Sequence, residues 1–417
     1  MSRPGVLSSS QKRLTLFFIA TAGAFTAYAT TLGAIELANL SGIQAAIGVA
    51  FEAHPYLQIF GFLSEFVMGV GYSLIPLFKS RPMSHEKLGY LAYFTITIAN
   101  VLLFISTLDS SSYPILAKSA AILILISSII FAMQSLELLR TQGKLLGEAE
   151  PFMILSIVSF FILSLDFLFV QFSVIREQVF STYFLYLSLL GFVGSMIFGV
   201  MLKTIAFRLT TYRKNLAKWT FLLQAAAVAT ISLSALIQIN WLTELSALLF
   251  LGASITIIFT ARIFERSKKL LPFGAKASMP NRIQSYTDAS EISAAVWLVL
   301  GCITGIAFLI SGQSSFLVRD SFIHVIAIGF IGSTIIGYAP VLLPGVLTSR
   351  GPREKLSLWP LILLNAGLVF RVAGNSYAIA LGSSLPLWES ISGVLIMASI
   401  LTFGYFLHSR RTSVALK

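Results

Sequence analysis

The chain has 417 residues, of which 56% are hydrophobic and 11% charged, and its mean hydropathy is +0.87. This composition excludes a soluble globular protein and predicts a polytopic membrane protein, because apolar stretches of membrane-spanning length recur along the chain. The formal net charge of +12 would suit a nucleic-acid partner, but the positions of the basic residues, given below, exclude that class of function.

Twelve apolar segments are long enough to cross a bilayer. Each is predicted to be a helix, because the bilayer core offers backbone amides no partner outside their own segment and the segments are too long for barrel strands. The fold class is therefore all-α. In chain order the predicted spans are 13–37, 55–78, 86–107, 114–140, 151–173, 180–207, 217–240, 242–265, 290–312, 319–347, 357–382 and 386–408. Between them, 40–52 is predicted to be an interfacial helix and 267–289 a cytoplasmic loop.

The basic residues are distributed unevenly between the two sides of the predicted membrane. Of 29 Lys and Arg residues, 25 lie in or beside the N-terminus, the loops that follow even-numbered spans, and the C-terminus. The opposite loops hold Lys118, Arg176 and Arg319. This asymmetry predicts a protein integral to the cytoplasmic membrane with both termini cytoplasmic, as an even number of spans requires. The positive net charge is therefore explained by the orientation of the protein in the lipid bilayer, and no nucleic-acid partner is expected.

The motif Gly-Phe-x6-Gly occurs three times, although 29 Gly and 34 Phe in 417 residues predict less than one occurrence by chance. The copies, Gly61–Gly69, Gly191–Gly199 and Gly329–Gly337, begin 130 and 138 residues apart and fall in the second, sixth and tenth predicted spans. This spacing predicts three pseudo-symmetric four-helix units about a threefold axis, covering about 13–140, 151–265 and 290–408 of a single integral membrane domain at 1–417. Close helix packing explains small residues at such positions.

Two of the four histidines lie in symmetry-related spans. His54 comes seven residues before the first glycine of its motif copy, and His324 comes five residues before its own. Both are expected near the outer end of the bundle, with His324 about 7 Å inside the boundary. At about 100° per residue, the offsets place the two side chains on faces roughly 160° apart, which suits a site shared by neighbouring helices of a threefold ring.

Two neutral imidazoles of this kind can hold the iron of a low-spin haem between them. The alternative is structural: His54 would be an interfacial polar residue, and His324 a packed, hydrogen-bonded one. The other histidines, His85 and His408, are expected to be solvated or interfacial.

Placing an ionisable side chain deep in the membrane costs free energy, so such side chains tend to face the interior of the helix bundle. Arg371 is predicted in the outer half of the eleventh span, Asp166 at a similar depth in the fifth, and Glu65 near the middle of the second. Two interpretations of Arg371 stay open: it contacts a haem propionate through a charge-assisted bond, or it forms a structural ion pair with Asp166 or Glu65.

Several segments together resemble the NnrS family, a relative of the haem-copper oxidase subunit I architecture with twelve helices in three sets of four. They are His54–Phe62 with Pro76 after it, His324–Gly329, Thr348–Arg350 and Leu363–Arg371. The resemblance implies that His54 and His324 are axial ligands of one haem b near the outer face and that Arg371 contacts a propionate. The motif glycines Gly61 and Gly329 are also predicted to contribute to cofactor binding. The resemblance further implies a role in electron transfer or nitric oxide metabolism, with a quinone, a cytochrome or other respiratory-chain subunits as partners.

The chain also departs from these families. Tyr56 stands where the NnrS pattern has a second histidine, and the sixth and seventh predicted spans contain none. Copper and a binuclear centre are therefore not expected, and neither is activity as an oxidase or nitric oxide reductase by this chain alone. Two further functions remain open. The protein could be a secondary transporter, since many transporters also have twelve helices with internal repeats. It could also be a non-catalytic subunit of a respiratory or oxygenase complex that has lost its metals.

Overall fold

The computed structural model of the chain describes residues 7–40, 53–108, 113–140, 147–174, 183–208, 212–237, 239–265, 281–310, 316–348, 356–382 and 386–412. Across these residues the regular structure is helical and contains no strand. Twelve helices in this part of the chain are long and apolar enough to cross a membrane. The prediction of an all-α membrane protein with twelve spans is confirmed.

The spanning helices are numbered in chain order, one for each predicted span. They are α1 (Ser9–Leu40), α2 (Ala53–Lys79), α3 (Glu86–Leu108), α4 (Pro114–Leu139), α5 (Glu150–Gln171), α6 (183–208), α7 (Lys214–Ile237), α8 (Asn240–Ala261), α9 (Asn281–Ile310), α10 (316–348), α11 (Trp359–Leu381) and α12 (Pro386–Thr412). Most ends lie within about four residues of the predicted ones, as expected for boundaries read from hydropathy.

The start of α9 is the largest disagreement with the sequence prediction. Residues 281–289 were expected in a cytoplasmic loop, but the helix begins at Asn281. The reason is tertiary: Tyr286 is buried, and its hydroxyl donates a hydrogen bond to the Ile336 carbonyl oxygen at 2.7 Å. A polar sequence can continue a helix when one face packs in this way. The rest of that predicted loop up to 280, and the predicted interfacial helix at 40–52 beyond Leu40, lie outside the described residues.

The fold divides into two compact units. One comprises Met1–Ala22 and Tyr56–Gly274, and the other comprises Gly23–Pro55 and Ala275–Lys417. The first half of α1 therefore belongs with α3 to α8 and most of α2, whereas its second half and the first turn of α2 belong with α9 to α12. The organisation of the whole chain as a single domain stays a prediction.

Each motif copy contains a π-helical segment at the same register, from four residues before the first glycine to three residues after it. The segments are Leu57–Ser64 in α2, Leu187–Gly194 in α6 and Val325–Gly332 in α10. In the first copy Ser64 Oγ donates to the Ile59 carbonyl oxygen at 2.8 Å. A π segment inserts residues into the helical phase and often occurs at functional sites.

The π segments do not alter the predicted angle between the two histidine faces. The angle of about 160° comes from the two-residue difference between the offsets of His54 and His324. Counted from the first motif glycine, this difference covers 54–56 in α2 and 322–324 in α10, which precede the π segments and are α-helical. The angle itself stays a prediction. The identical register of the three π segments is strong local support for the predicted triplication.

The second glycine of each copy packs against the first helix of its own repeat. A Cβ added to Gly69 would lie 2.6 Å from Phe18 Cβ. On Gly199 it would lie 2.8 Å from Met153 Cγ, and on Gly337 2.5 Å from Ser290 Cβ. These partners belong to α1, α5 and α9. The three repeats thus use their glycines in one way, to let two helices approach closely.

Candidate bis-histidine site

His54 and His324 lie side by side in the unit that contains α9 to α12. Their ring centroids are 6.4 Å apart, and the ring planes differ in orientation by 19°. His54 is the second residue of α2, and His324 is the last residue of α10 before its π segment. The structure therefore brings together the two histidines that the repeat pattern singled out.

The Nδ1 atom of each ring lies against a backbone carbonyl oxygen. His54 Nδ1 is 2.7 Å from Ala29 O, and His324 Nδ1 is 2.8 Å from Asp320 O. Because a carbonyl oxygen only accepts, each Nδ1 donates its proton, and the neutral ring keeps Nε2 as an unprotonated nitrogen. Within the described residues neither Nε2 has a hydrogen-bond partner. A second nitrogen fixed by a carbonyl is the usual arrangement of metal-binding histidines.

The distance between the rings is compatible with one metal ion held between them. A metal–nitrogen bond of about 2 Å and about 1 Å from that nitrogen to the ring centre give a centroid separation of about 6 Å for two ligands on opposite sides. The observed 6.4 Å agrees with this sum. Across the described chain no group of three or more His, Cys, Asp or Glu side chains is placed to hold a metal ion.

Gly33 of α1 makes room for the His54 ring. A Cβ added there would lie 2.9 Å from His54 Cε1 and 3.0 Å from His54 Nδ1. Any side chain at this position would push the imidazole away from its hydrogen bond to Ala29. Gly33 was not predicted from the sequence, because it lies outside the repeated motif.

A buried network of charged and polar side chains surrounds the carboxylate of Asp320, next to His324. Asp320 accepts two hydrogen bonds from Arg371, from Nε to Oδ2 at 2.7 Å and from Nη2 to Oδ1 at 2.6 Å. Asn375 donates to Asp320 Oδ2 at 2.7 Å and to Ser321 Oγ at 3.0 Å. His324 Nδ1 also lies 3.1 Å from Asp320 Oδ1. The carboxylate thus joins one imidazole to one guanidinium.

Arg371 forms a buried ion pair, as one of its two interpretations predicted, but the predicted acidic partners were wrong. The carboxylate is Asp320, not Asp166 or Glu65. Asp320 escaped notice because the predicted span began at 319, which put the residue at the membrane boundary, whereas α10 begins at Phe316 and buries it. A signal was present: an acid four residues before a histidine occupies the same helix face. Contact between Arg371 and a propionate stays a prediction.

The two glycines predicted beside a cofactor are both buried. A Cβ on Gly329 would lie 2.6 Å from Trp297 Cγ and 2.8 Å from Leu368 Cδ2, so helix packing explains this glycine. Gly61 is buried within its π segment. For both glycines a part in cofactor binding stays a prediction.

Three comparisons with known proteins give a family model, a relative and a solved structure that are similar to this chain. A family model described as a domain of unknown function (DUF8744) matches residues 281–409. A protein of Aquifex aeolicus (strain VF5), described as uncharacterized, is 26% identical over 314 residues, which are 71% of this chain and 72% of that protein. Among solved structures, a chain from a cryo-EM structure of a haem-copper terminal oxidase dimer has a TM-score of 0.73 at 13% identity, covering 98% of this chain and 84% of that chain.

The likeness to the oxidase chain concerns the fold, because the identity is low. The predicted resemblance to the haem-copper oxidase architecture is therefore confirmed at that level, and membership of the NnrS family stays a prediction. The chain is an integral membrane protein with the fold of a haem-copper terminal oxidase chain.

Proposed function

We propose that this protein is a respiratory-type membrane protein that binds one haem b through His54 and His324 and takes part in electron transfer. The observation that carries the proposal is the pair of imidazoles 6.4 Å apart, each with Nδ1 on a carbonyl oxygen and with Nε2 lacking a hydrogen-bond partner among the described residues. The fold shared with an oxidase chain supports the respiratory setting. The resemblance to NnrS proteins extends the proposal to nitric oxide metabolism.

A haem held by two histidines supplies one-electron redox chemistry. The residues of this chain have separable parts in such a site. His54 and His324 provide two neutral nitrogen ligands, and the carbonyl oxygens of Ala29 and Asp320 fix their rings. Arg371 balances the Asp320 charge, and its remaining N–H groups can bind an acidic group of the cofactor.

With His54 and His324 both as ligands, a bound haem would keep no position open for a gas, and this favours electron transfer. The partner is then an electron donor or acceptor: a quinone, a cytochrome or another respiratory-chain subunit. The proposed location is the cytoplasmic membrane with both termini in the cytoplasm, as the distribution of Lys and Arg predicts.

The test is a reduced-minus-oxidised absorbance spectrum of the purified protein, with the haem and metal content measured per chain. We expect the spectrum of a six-coordinate b-type haem, lost in His54→Ala and in His324→Ala. His85→Ala is the matched control, because His85 is an exposed histidine remote in sequence from the site. A colourless preparation of folded protein, or a haem spectrum unchanged in both site variants, would refute the proposal.

A further inference from the structure

Glu65 is a fully buried carboxyl group near the middle of α2. Its exposed fraction is 0%, and it lies one residue from the midpoint of the span Ala53–Lys79. It follows the π segment directly. Among the described residues its hydrogen-bond partners are three neutral side chains, Thr21 of α1 and both Thr97 and Asn100 of α3. A carboxylate with neutral partners at this depth would be expensive to ionise.

One carboxyl oxygen is placed as an acceptor. Glu65 Oε1 lies 3.1 Å from Asn100 Nδ2 and 3.2 Å from Thr97 Oγ1. The amide nitrogen can only donate, and the Thr97 hydroxyl is placed to donate as well. This oxygen therefore behaves as the carbonyl oxygen of a carboxyl group.

The other carboxyl oxygen contacts a hydroxyl whose single proton has competing acceptors. Glu65 Oε2 contacts Thr21 Oγ1, which also lies 2.9 Å from Phe17 O and 3.1 Å from Phe18 O. A threonine hydroxyl has one proton, and within a helix it commonly gives that proton to the carbonyl oxygen four residues back. When Thr21 donates to Phe17, the contact with Glu65 is satisfied if Oε2 carries a proton. The geometry thus accommodates a neutral carboxylic acid that donates to a hydroxyl.

The other repeats show that the fold does not require an acid at this position. Four residues after the first motif glycine stand Glu65, Ser195 and Ser333. In the second repeat, Gln224 Nε2 donates to Leu190 O at 2.7 Å and to Ser195 Oγ at 3.0 Å.

In the first repeat, Asn100 Nδ2 makes the equivalent contacts, to Phe60 O at 3.2 Å and to Glu65 Oε1. In the third, Ser333 Oγ lies 3.2 Å from Ser293 Oγ. A serine hydroxyl completes the network in two repeats. The first repeat carries a costly ionisable group in its place, which is typical of intramembrane residues with a function.

We propose that Glu65 is a proton-binding site in the middle of the membrane, which holds one proton as a carboxylic acid and exchanges it through the hydroxyl network around Thr21. Tyr93 of α3 is the other titratable side chain near Glu65, and its ring centroid lies 5.2 Å from that of Phe18. The charged residues of α1 and α3 nearest in sequence on the cytoplasmic side, Arg13 and Lys87, lie about two turns or more along their helices from these contacts. No step of the proposal depends on haem.

The test is infrared spectroscopy of the purified protein in lipid, which detects the carbonyl stretch of a protonated buried carboxyl group and its shift in heavy water. We expect this band in wild type at neutral pH and its loss in Glu65→Gln and Glu65→Ser. Serine is the residue of the other two repeats, so Glu65→Ser is expected to fold. Asp166→Asn, which removes another acid of the same unit, is the control and should retain the Glu65 band.

Two further measurements ask whether the carboxyl group exchanges its proton. Thr21→Val removes the acceptor of the Oε2 proton and should move the band without abolishing it. Raising the pH should remove the band reversibly while the protein remains folded. The proposal is overturned if wild type shows no band that Glu65→Gln removes, or if the band is constant over the whole pH range of the folded state. It is also overturned if sodium chloride, but not choline chloride, removes the band at constant pH, because that result would indicate a cation site.

Discussion

Asp320 and Arg371 form a bidentate ion pair, with Nε to Oδ2 at 2.7 Å and Nη2 to Oδ1 at 2.6 Å, and both side chains are buried. The same carboxylate lies 3.1 Å from Nδ1 of His324. The two helices that carry the pair, α10 and α11, are thereby tied together at the level of the histidine. We therefore expect both the stability of the protein and the chemistry of His324 to depend on this one carboxylate.

Replacing Asp320 with Asn should destabilise the protein strongly. The substitution leaves the buried guanidinium of Arg371 without its counter-ion, and breaking a buried ion pair in this way costs about 3–5 kcal/mol. Thermal unfolding in one detergent measures the effect. Asp320→Asn combined with Arg371→Gln should recover part of the loss, because no charge is then left unpaired.

The control for this prediction is Glu137→Gln, which removes an exposed acid that accepts hydrogen bonds from Ser84. A surface change of this kind should alter the free energy of unfolding by about 0.5 kcal/mol or less. If Asp320→Asn lowers the free energy of unfolding no more than Glu137→Gln does, the ion pair does not hold α10 and α11 together.

Under the haem proposal, Asp320→Asn should also raise the reduction potential. A negative carboxylate oxygen 3.1 Å from Nδ1 makes the imidazole a more basic ligand, which stabilises the oxidised metal; the amide of Asn lacks this charge. A redox titration followed by the haem spectrum measures the change, with Asp166→Asn as a control at an acid in the other unit. An unchanged or lower potential in a variant that retains haem would contradict the role given to Asp320.

The twelve spans and the triplication could be predicted because a bilayer imposes long apolar helices and because repeats preserve their spacing. The histidine pair followed from that symmetry, and the angle between the two helix faces stays a prediction. The π segments could not be predicted: nothing in the sequence of 57–64 distinguishes five-residue from four-residue hydrogen bonding. Gly33 and Asp320 were missed for a different reason, since each acts through a tertiary contact to a histidine and neither belongs to the repeated motif.

The second glycine of the third motif copy offers a test of close packing. Gly337→Ala would place a Cβ 2.5 Å from Ser290 Cβ, so α9 and α10 must separate. Overpacking of this kind costs about 1–3 kcal/mol. Gly252→Ala is the matched control, because its Cβ would meet its nearest neighbour, Leu223 Cδ1, at an ordinary 3.5 Å. Equal unfolding temperatures for the two variants would show that this helix contact tolerates a side chain.

The amide of Gln224 should be needed by the π segment of α6. Gln224→Ala leaves the buried carbonyl oxygen of Leu190 and the hydroxyl of Ser195 without their 2.7 Å and 3.0 Å donor contacts, at a cost of about 1–3 kcal/mol. Thr230→Val on the same helix removes only a hydroxyl bonded to its own backbone at Ala226 and should have little effect. Hydrogen exchange at the amides of α6 would locate the loosened segment, and protection equal to that of wild type would argue against a capping role.

Gly33 provides the most direct test of the site, because a single methyl group should disturb it. The added carbon of Gly33→Ala would lie 2.9 Å from His54 Cε1, so the ring must leave its position against Ala29 O. Under the haem proposal we expect haem content per chain to fall about 10- to 100-fold at limiting haem, the usual effect of losing a contact that orients a ligand. Gly23→Ala lies on the same helix, and its added carbon would meet no atom within 4 Å. That variant should bind haem like wild type and unfold at the same temperature or slightly above it, since alanine is the better helix former. Equal haem contents in the two variants would mean that the His54 ring does not need the space beside Gly33, and the pairing of His54 with His324 as metal ligands would lose its structural basis.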